Sequence, residues 1–246
     1  MSADANKALA ALLKSLGSTK LEDEDTRSAI EELVYSFLLW ETTATRARRA
    51  FDRIQKHIVD YNELRVCRPF EIIDVIGVDY PKAEERTTLL RGALHEIYLR
   101  EHEVSLDSAM GLGKRDARKY MDSIESMPQY VAARVLLLCM NAHAVPVDER
   151  LHTRLIAAGV FDEDTPLDKA ASYLERQIKA TEGEKTHRLL QQWSEETRKP
   201  AKKKAATKKK SSKKKAAASK SGTTKKTKKK STTKKKSTKK TAKKSG

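Results

Sequence analysis

The side chains of this chain with the plainest chemistry are its lysines. From Lys199 to Gly246 there are 48 residues, of which 23 are Lys and none is Asp or Glu. They come in short runs, among them Lys202-Lys203-Lys204, Lys208-Lys209-Lys210 and Lys213-Lys214-Lys215, separated by Ala, Ser and Thr. Such a charge density binds polyanions by releasing their condensed counterions. Without an aromatic residue or a rigid element it has nothing with which to read base edges, so it supplies affinity without sequence preference. Other candidates for chemistry are fewer. Gly111-Leu112-Gly113-Lys114 resembles a phosphate loop only superficially, because Ser108 stands where the first glycine is required, and a turn is expected there. His57, His95, His102, His143, His152 and His187 show no metal-ligand spacing, so no metal site is expected. Cys67 and Cys139 lie in apolar runs and read as buried thiols, too few for a disulfide framework or for the four thiolates of an iron–sulfur cluster. Asp148 precedes a helical pattern carrying Leu151, Leu155 and Ile156, where its carboxylate can cap the helix.

The elements that must position these groups read as helices. Leu9, Leu12, Leu13 and Leu16 form one apolar face, stopped by Gly17. Ile30, Leu33, Val34, Phe37 and Leu38 form a second, Ala47, Ala50, Phe51, Ile54 and Ile58 a third, and Leu89, Leu90, Ala93, Leu94, Ile97 and Tyr98 a fourth. Pro81 suits a helix first turn. Thr165-Pro166-Leu167-Asp168 reads as cap, Pro at the first position and an acidic residue three after the cap. Pro128 opens a helix carrying Val131, Val135 and Leu138. No segment alternates with β-branched enrichment, so the expected class is all-α.

Charge divides the chain. The whole carries +17, yet residues 1–198 hold 28 basic against 34 acidic side chains, a net −6. The tail has almost no apolar surface to offset ordering entropy and is expected to be disordered alone. No apolar run approaches the roughly 20 residues of a membrane span. The stretch Ala8–Leu13, between Lys7 and Lys14, is too short for a signal peptide. An intracellular, reduced protein without a membrane partner is expected.

Three segments carry a resemblance. They are Leu33-Val34-Tyr35-Ser36-Phe37-Leu38-Leu39-Trp40-Glu41-Thr42-Thr43, Ile73-Asp74-Val75-Ile76-Gly77-Val78-Asp79-Tyr80-Pro81-Lys82-Ala83, and Ile124-Glu125-Ser126-Met127-Pro128-Gln129-Tyr130-Val131-Ala132-Ala133, the last followed by Val147-Asp148. Residues 27–193 thereby resemble the helix-hairpin-helix DNA glycosylase superfamily, of which endonuclease III is a member. The eighteen-residue separation of Tyr130 from Asp148 matches the family spacing. The resemblance implies a two-lobed helical fold, with Asp148 at the mouth of a base pocket, stabilising the cation that develops on the sugar or orienting the attacking water. Tyr130 stands where bifunctional members keep a lysine; it cannot form their imine, which implies base removal without strand cleavage.

The same resemblance places Ser126, Met127, Pro128 and Gln129 in the hairpin that grips a DNA phosphate, and Thr42 near the gap left by a flipped base. Ser126 and Pro128 replace the hairpin glycines, and Pro128 has no N–H to donate. An ordinary helix–turn–helix corner is therefore the competing reading of this segment. The cysteine cluster that follows the fold in endonuclease III is missing, so no cofactor and no iron–sulfur cluster is expected. The expected organisation is an N-terminal helix and linker over 1–26, the glycosylase-like core over 27–198 and the Lys-rich tail over 199–246. The expected protein is a nucleoid-associated, cytoplasmic monomer that binds DNA and excises a base without lyase chemistry. The alternative is a degenerate glycosylase fold that serves as a non-enzymatic DNA or chromatin module.

Overall fold

In the computed structural model, which describes residues 3–21 and 26–196, every regular element is a helix. The Lys-rich tail lies outside the described residues, and with it Lys202, Lys203, Lys204, Lys208, Lys209 and Lys210 and the expectation of disorder. The chain order is α1 (Ala3–Leu16), α2 (Ala29–Leu39), α3 (Ala44–His57), α4 (Tyr61–Val66), α5 (Pro69–Ile76), α6 (Ala83–Glu101), α7 (Asp107–Met110), α8 (Lys114–Asp122), α9 (Gln129–Leu138), α10 (Glu149–Ala157), α11 (Leu167–Gln177) and α12 (Gly183–Glu195), with a single 3₁₀ turn at Ala180–Glu182.

Two apolar cores make two lobes. The first is built on α2, whose run of large apolar residues buries nearly its whole circumference against α3, α6 and α9. Its start is set locally: the Glu31 carboxylate accepts the Ser28 N–H at 2.7 Å, while the Ser28 hydroxyl accepts the Glu31 N–H at 3.4 Å. Its end is set by tertiary contact. The buried Arg86 guanidinium of α6 donates to the carbonyls of Phe37, Leu38 and Trp40, which have no partner within the helix. Burial lowers the Arg86 pKa to about 10. Gly77, at φ 111°, ends α5 in a left-handed turn that a side chain would strain. The Tyr80 hydroxyl then donates to the Leu38 carbonyl at 2.9 Å.

The second core joins the beginning of the chain to its later helices. Leu9 and Leu16 of α1 pack with Leu151 and Leu155 of α10, Leu174 of α11 and Leu189 and Leu190 of α12. As Gly17 implies, α1 stops at Leu16, with the Gly17 N–H donating to Leu13. The seam between lobes is a buried polar network. Arg134 of α9 pairs with Glu32, donates to the Ser36 hydroxyl at 3.1 Å and donates to His187 Nε2 of α12 at 3.2 Å. The pairing of Arg134 with Glu32, Ser36 and His187 is what makes so much buried polarity tolerable.

Three local expectations need correction. The cap of α11 is Pro166, not Thr165, whose N–H instead closes a turn onto Asp162 at 3.1 Å. Pro81 lies outside α6, because Lys82 adopts a left-handed conformation (φ 50°) and delays the helix to Ala83. Cys67 and Cys139 are half-buried rather than enclosed, and desolvation raises both thiol pKa values. The Gly111–Gly113 segment is the expected turn, joining α7 to α8.

Candidate functional site

A pocket of about 290 Å³ opens where the end of α2, the turn before α9 and the approach to α10 converge. Trp40, Leu89, Met127, Tyr130, Val147 and Leu167 give it apolar and aromatic walls, with Glu85 and Glu125 among its lining residues. Tyr130 belongs to the first turn of α9, and its hydroxyl donates to Gln191 Oε1 of α12 at 3.1 Å, which pins the ring as a wall. The Lys82 ammonium lies 4.9 Å from the Trp40 ring centroid and 3.8 Å from the Glu149 carboxylate.

Asp148 stands behind this wall. It is 2 % exposed and does not itself line the pocket, although its neighbour Val147 does. Oδ1 accepts the Leu151 N–H at 2.9 Å, capping α10, and Oδ2 accepts the Glu41 N–H at 3.2 Å. Glu41 reciprocates: its carboxylate accepts the Glu149 N–H at 2.8 Å. The two residues thus clamp the segment after α2 to the N-terminus of α10, with Glu41 held in a left-handed conformation (φ 58°). Burial raises both carboxyl pKa values; for Glu41 the neighbouring Asp148 and Glu149 add to the rise, and for Asp148 the backbone donors and Arg150 oppose it. Thr42 is buried beside this clamp, and its carbonyl accepts from Arg150. In this conformation it presents no side chain outward.

The hairpin is occupied from within. The Glu96 carboxylate of α6 accepts the N–H of Glu125 at 3.1 Å and of Ser126 at 3.1 Å, and Arg100 approaches the same carboxylate at 3.4 Å. The Met127 N–H closes the turn onto Ile124, and Pro128 has none. Ser126, Met127 and Pro128 are half-buried, whereas Gln129 is exposed at the start of α9. The helix and hairpin touch closely at Gly92, where an added Cβ would fall 2.3 Å from the Ser126 hydroxyl. The structure therefore brings Tyr130, Ser126, Met127, Pro128 and Gln129 to one pocket, puts Asp148 behind its wall and leaves Thr42 aside.

Three contributors were not singled out from the sequence: Trp40, Glu41 and Glu96. Trp40 carries a readable signal, a large aromatic at the end of an apolar helix just before the Thr43 cap. Glu41 and Glu96 carry none. A left-handed glutamate and a carboxylate acting on a turn thirty residues away are both products of packing. Among the described residues, no cluster of His, Cys, Asp and Glu is arranged to hold a metal ion, and no helix is long and apolar enough to cross a membrane.

No family model and no curated protein matches the sequence. Solved structures do match the fold. A thermostable thymine-DNA glycosylase aligns over 81 % of this chain and 90 % of its own at 16 % identity and a TM-score of 0.57. An endonuclease III in a non-covalent DNA complex aligns over 76 % and 84 % at 13 % identity and a TM-score of 0.60. A 3-methyladenine DNA glycosylase of H. pylori aligns over 77 % and 96 % at 12 % identity and a TM-score of 0.55. The described part of this chain has the two-lobed, all-helical fold of the helix-hairpin-helix DNA glycosylases.

Proposed function

We propose that this chain is a DNA-binding protein of the base-excision-repair type, which removes a damaged or mismatched base by hydrolysis and leaves the strand intact. The observation that carries this reading is the buried Asp148 carboxylate at the N-terminus of α10, one residue from the wall of a pocket faced by Trp40 and Tyr130. A flipped base fits between such aromatic walls. The carboxylate, deprotonated and moved a short way from its backbone donors, stabilises positive charge developing on the sugar as the glycosidic bond breaks. Tyr130 cannot form an imine, so the product is an abasic site without strand cleavage. The 23 lysines of the tail hold the protein on duplex DNA without sequence preference, offsetting the −6 charge of residues 1–198.

Incubating the full chain with a panel of lesion and mismatch duplexes, with and without hot alkali, tests this reading. Cleavage appearing only after alkali, lost in Asp148→Asn with duplex binding retained, is the expected outcome. Excision that survives Asp148→Asn would remove Asp148 from the chemistry.

Glu96 favours a second reading. Its carboxylate fills the hairpin amides that the resemblance assigns to phosphate, which suits a degenerate glycosylase fold acting as a non-enzymatic DNA module. Salt-dependent duplex binding with no excision of any lesion is its signature.

A further inference from the structure

A second, larger cavity of about 380 Å³ is lined by residues of α3 and α12, among them Gln191, whose Oε1 accepts from Tyr130. Its floor is His187, 3 % exposed. Arg134 Nε–H donates to His187 Nε2, so the neutral ring must carry its own proton on Nδ1. Among the described residues no acceptor meets that Nδ1–H, and the ring lines the cavity. The Nδ1–H therefore opens on the cavity, where a ligand atom can accept it in place of water. Burial next to Arg134 and Arg188 lowers the His187 pKa well below the ordinary histidine value, which keeps this donor neutral.

The other lining groups define what fits. Glu195 is already engaged by the Ala44 N–H at 2.9 Å and by Gln191 Nε2 at 2.8 Å, so two of the polar side chains are committed to the protein. Gln192 and, on α3, Arg49 and Asp52 have no side-chain bond among the described residues and line the same space. They offer a carboxamide with both donor and acceptor, a guanidinium and a carboxylate.

We propose that this cavity binds a nucleoside monophosphate. The phosphate faces Arg49 and the His187 Nδ1–H, the planar base pairs its polar edge with the Gln192 carboxamide, and Asp52 accepts from a sugar hydroxyl or exocyclic amine. A bare phosphate leaves most of the cavity unfilled and Asp52 without a donor. Asp52 and Glu195 offset part of the charge of Arg48, Arg49 and Arg188 in the lining, so a triphosphate exceeds the remaining positive charge far more than a monophosphate does. The site shares no lining residue with the pocket before Asp148, so it stands whether or not the chain excises bases.

Calorimetry on the full chain tests it, with deoxyadenosine monophosphate, deoxyadenosine and inorganic phosphate as probes. A salt concentration of about 0.5 M screens the lysine tail. The monophosphate should bind one site per chain, at least about tenfold tighter than either fragment probe, and should shift the His187 ring ¹⁵N resonances. Arg49→Glu, at an exposed position, and Gln192→Leu, at a half-buried one, should each weaken it about tenfold while leaving the melting temperature unchanged. Absence of saturable binding overturns the proposal. So does multi-site binding indifferent to both substitutions, which would be the tail alone, and so does inorganic phosphate binding as tightly as the nucleotide.

Discussion

Two buried titratable side chains make opposite demands on pH. His187 is held neutral in the folded chain with its pKa depressed by burial, whereas in the unfolded chain it titrates near the ordinary value of about 6.5. Below that pH the unfolded state gains a proton that the folded state refuses, so stability falls as pH drops toward the folded pKa. Melting temperature should therefore decline between about pH 7 and pH 5. His187→Gln, which keeps an acceptor for Arg134, should flatten that decline. Asp148 has its pKa raised by burial, and its charged form is the one that stabilises a sugar cation. Excision should accordingly rise with pH along a limb displaced above the ordinary aspartate range, as pH-rate measurements on a cleaved duplex would show. The clamp has its own stability cost when cut. Asp148→Ala removes the α10 cap and the acceptor for Glu41, and should lower unfolding free energy by about 2 kcal/mol in denaturant titration.

At the level of elements, the contact of α6 with the turn before α9 decides what that turn can do. Gly92 permits an approach so close that Gly92→Ala must displace Ser126, whose Oγ and Cβ lie 2.3 and 2.8 Å from the added carbon. The expected cost is about 1–3 kcal/mol, recovered in the Gly92→Ala/Ser126→Gly double variant if this overlap is its cause. One turn further along α6, Glu96 supplies an internal anion to the Glu125 and Ser126 amides. Glu96→Gln keeps an acceptor there but removes the charge. In filter-binding assays it should tighten duplex affinity severalfold, since a carboxylate beside DNA phosphates repels them. Unchanged affinity would leave Glu96 with a purely structural part in holding the turn.

For the whole molecule the governing quantity is the separation of charge along the chain, −6 over residues 1–198 and +23 over the remainder. If the lysines engage about ten phosphates, log K should fall against log[salt] with a slope of about −9. Removing residues 199–246 should abolish most of that slope and most affinity for unmodified duplex. The melting temperature should hardly change, because both apolar cores lie within the described residues. A truncated chain with the full chain's slope would show that residues 1–198 grip DNA unaided.

Much of this was legible in sequence because it is local. Apolar spacing of three and four residues dictates helices wherever it persists, Gly17 ends one, Pro128 opens another, and an aspartate before Leu151 caps a third, since each effect acts within a single helical turn. The lysine composition likewise leads to the expectation of polyanion attraction without reference to any fold. The sequence expects Thr165 to cap α11 and Pro81 to lie in a helix first turn, whereas Pro166 is the cap and Lys82 delays α6, because backbone conformation at one residue outweighs propensity at helix ends. The functional environment belongs to tertiary structure. Arg134 meets His187 across 53 positions, Glu41 meets Asp148 across 107, and Glu96 reaches a turn thirty residues ahead. No periodicity encodes such partners. Packing brings them together and removes water from around them, and that loss of solvent sets which carboxyl pKa values rise, which imidazole stays neutral and which amides are filled from within.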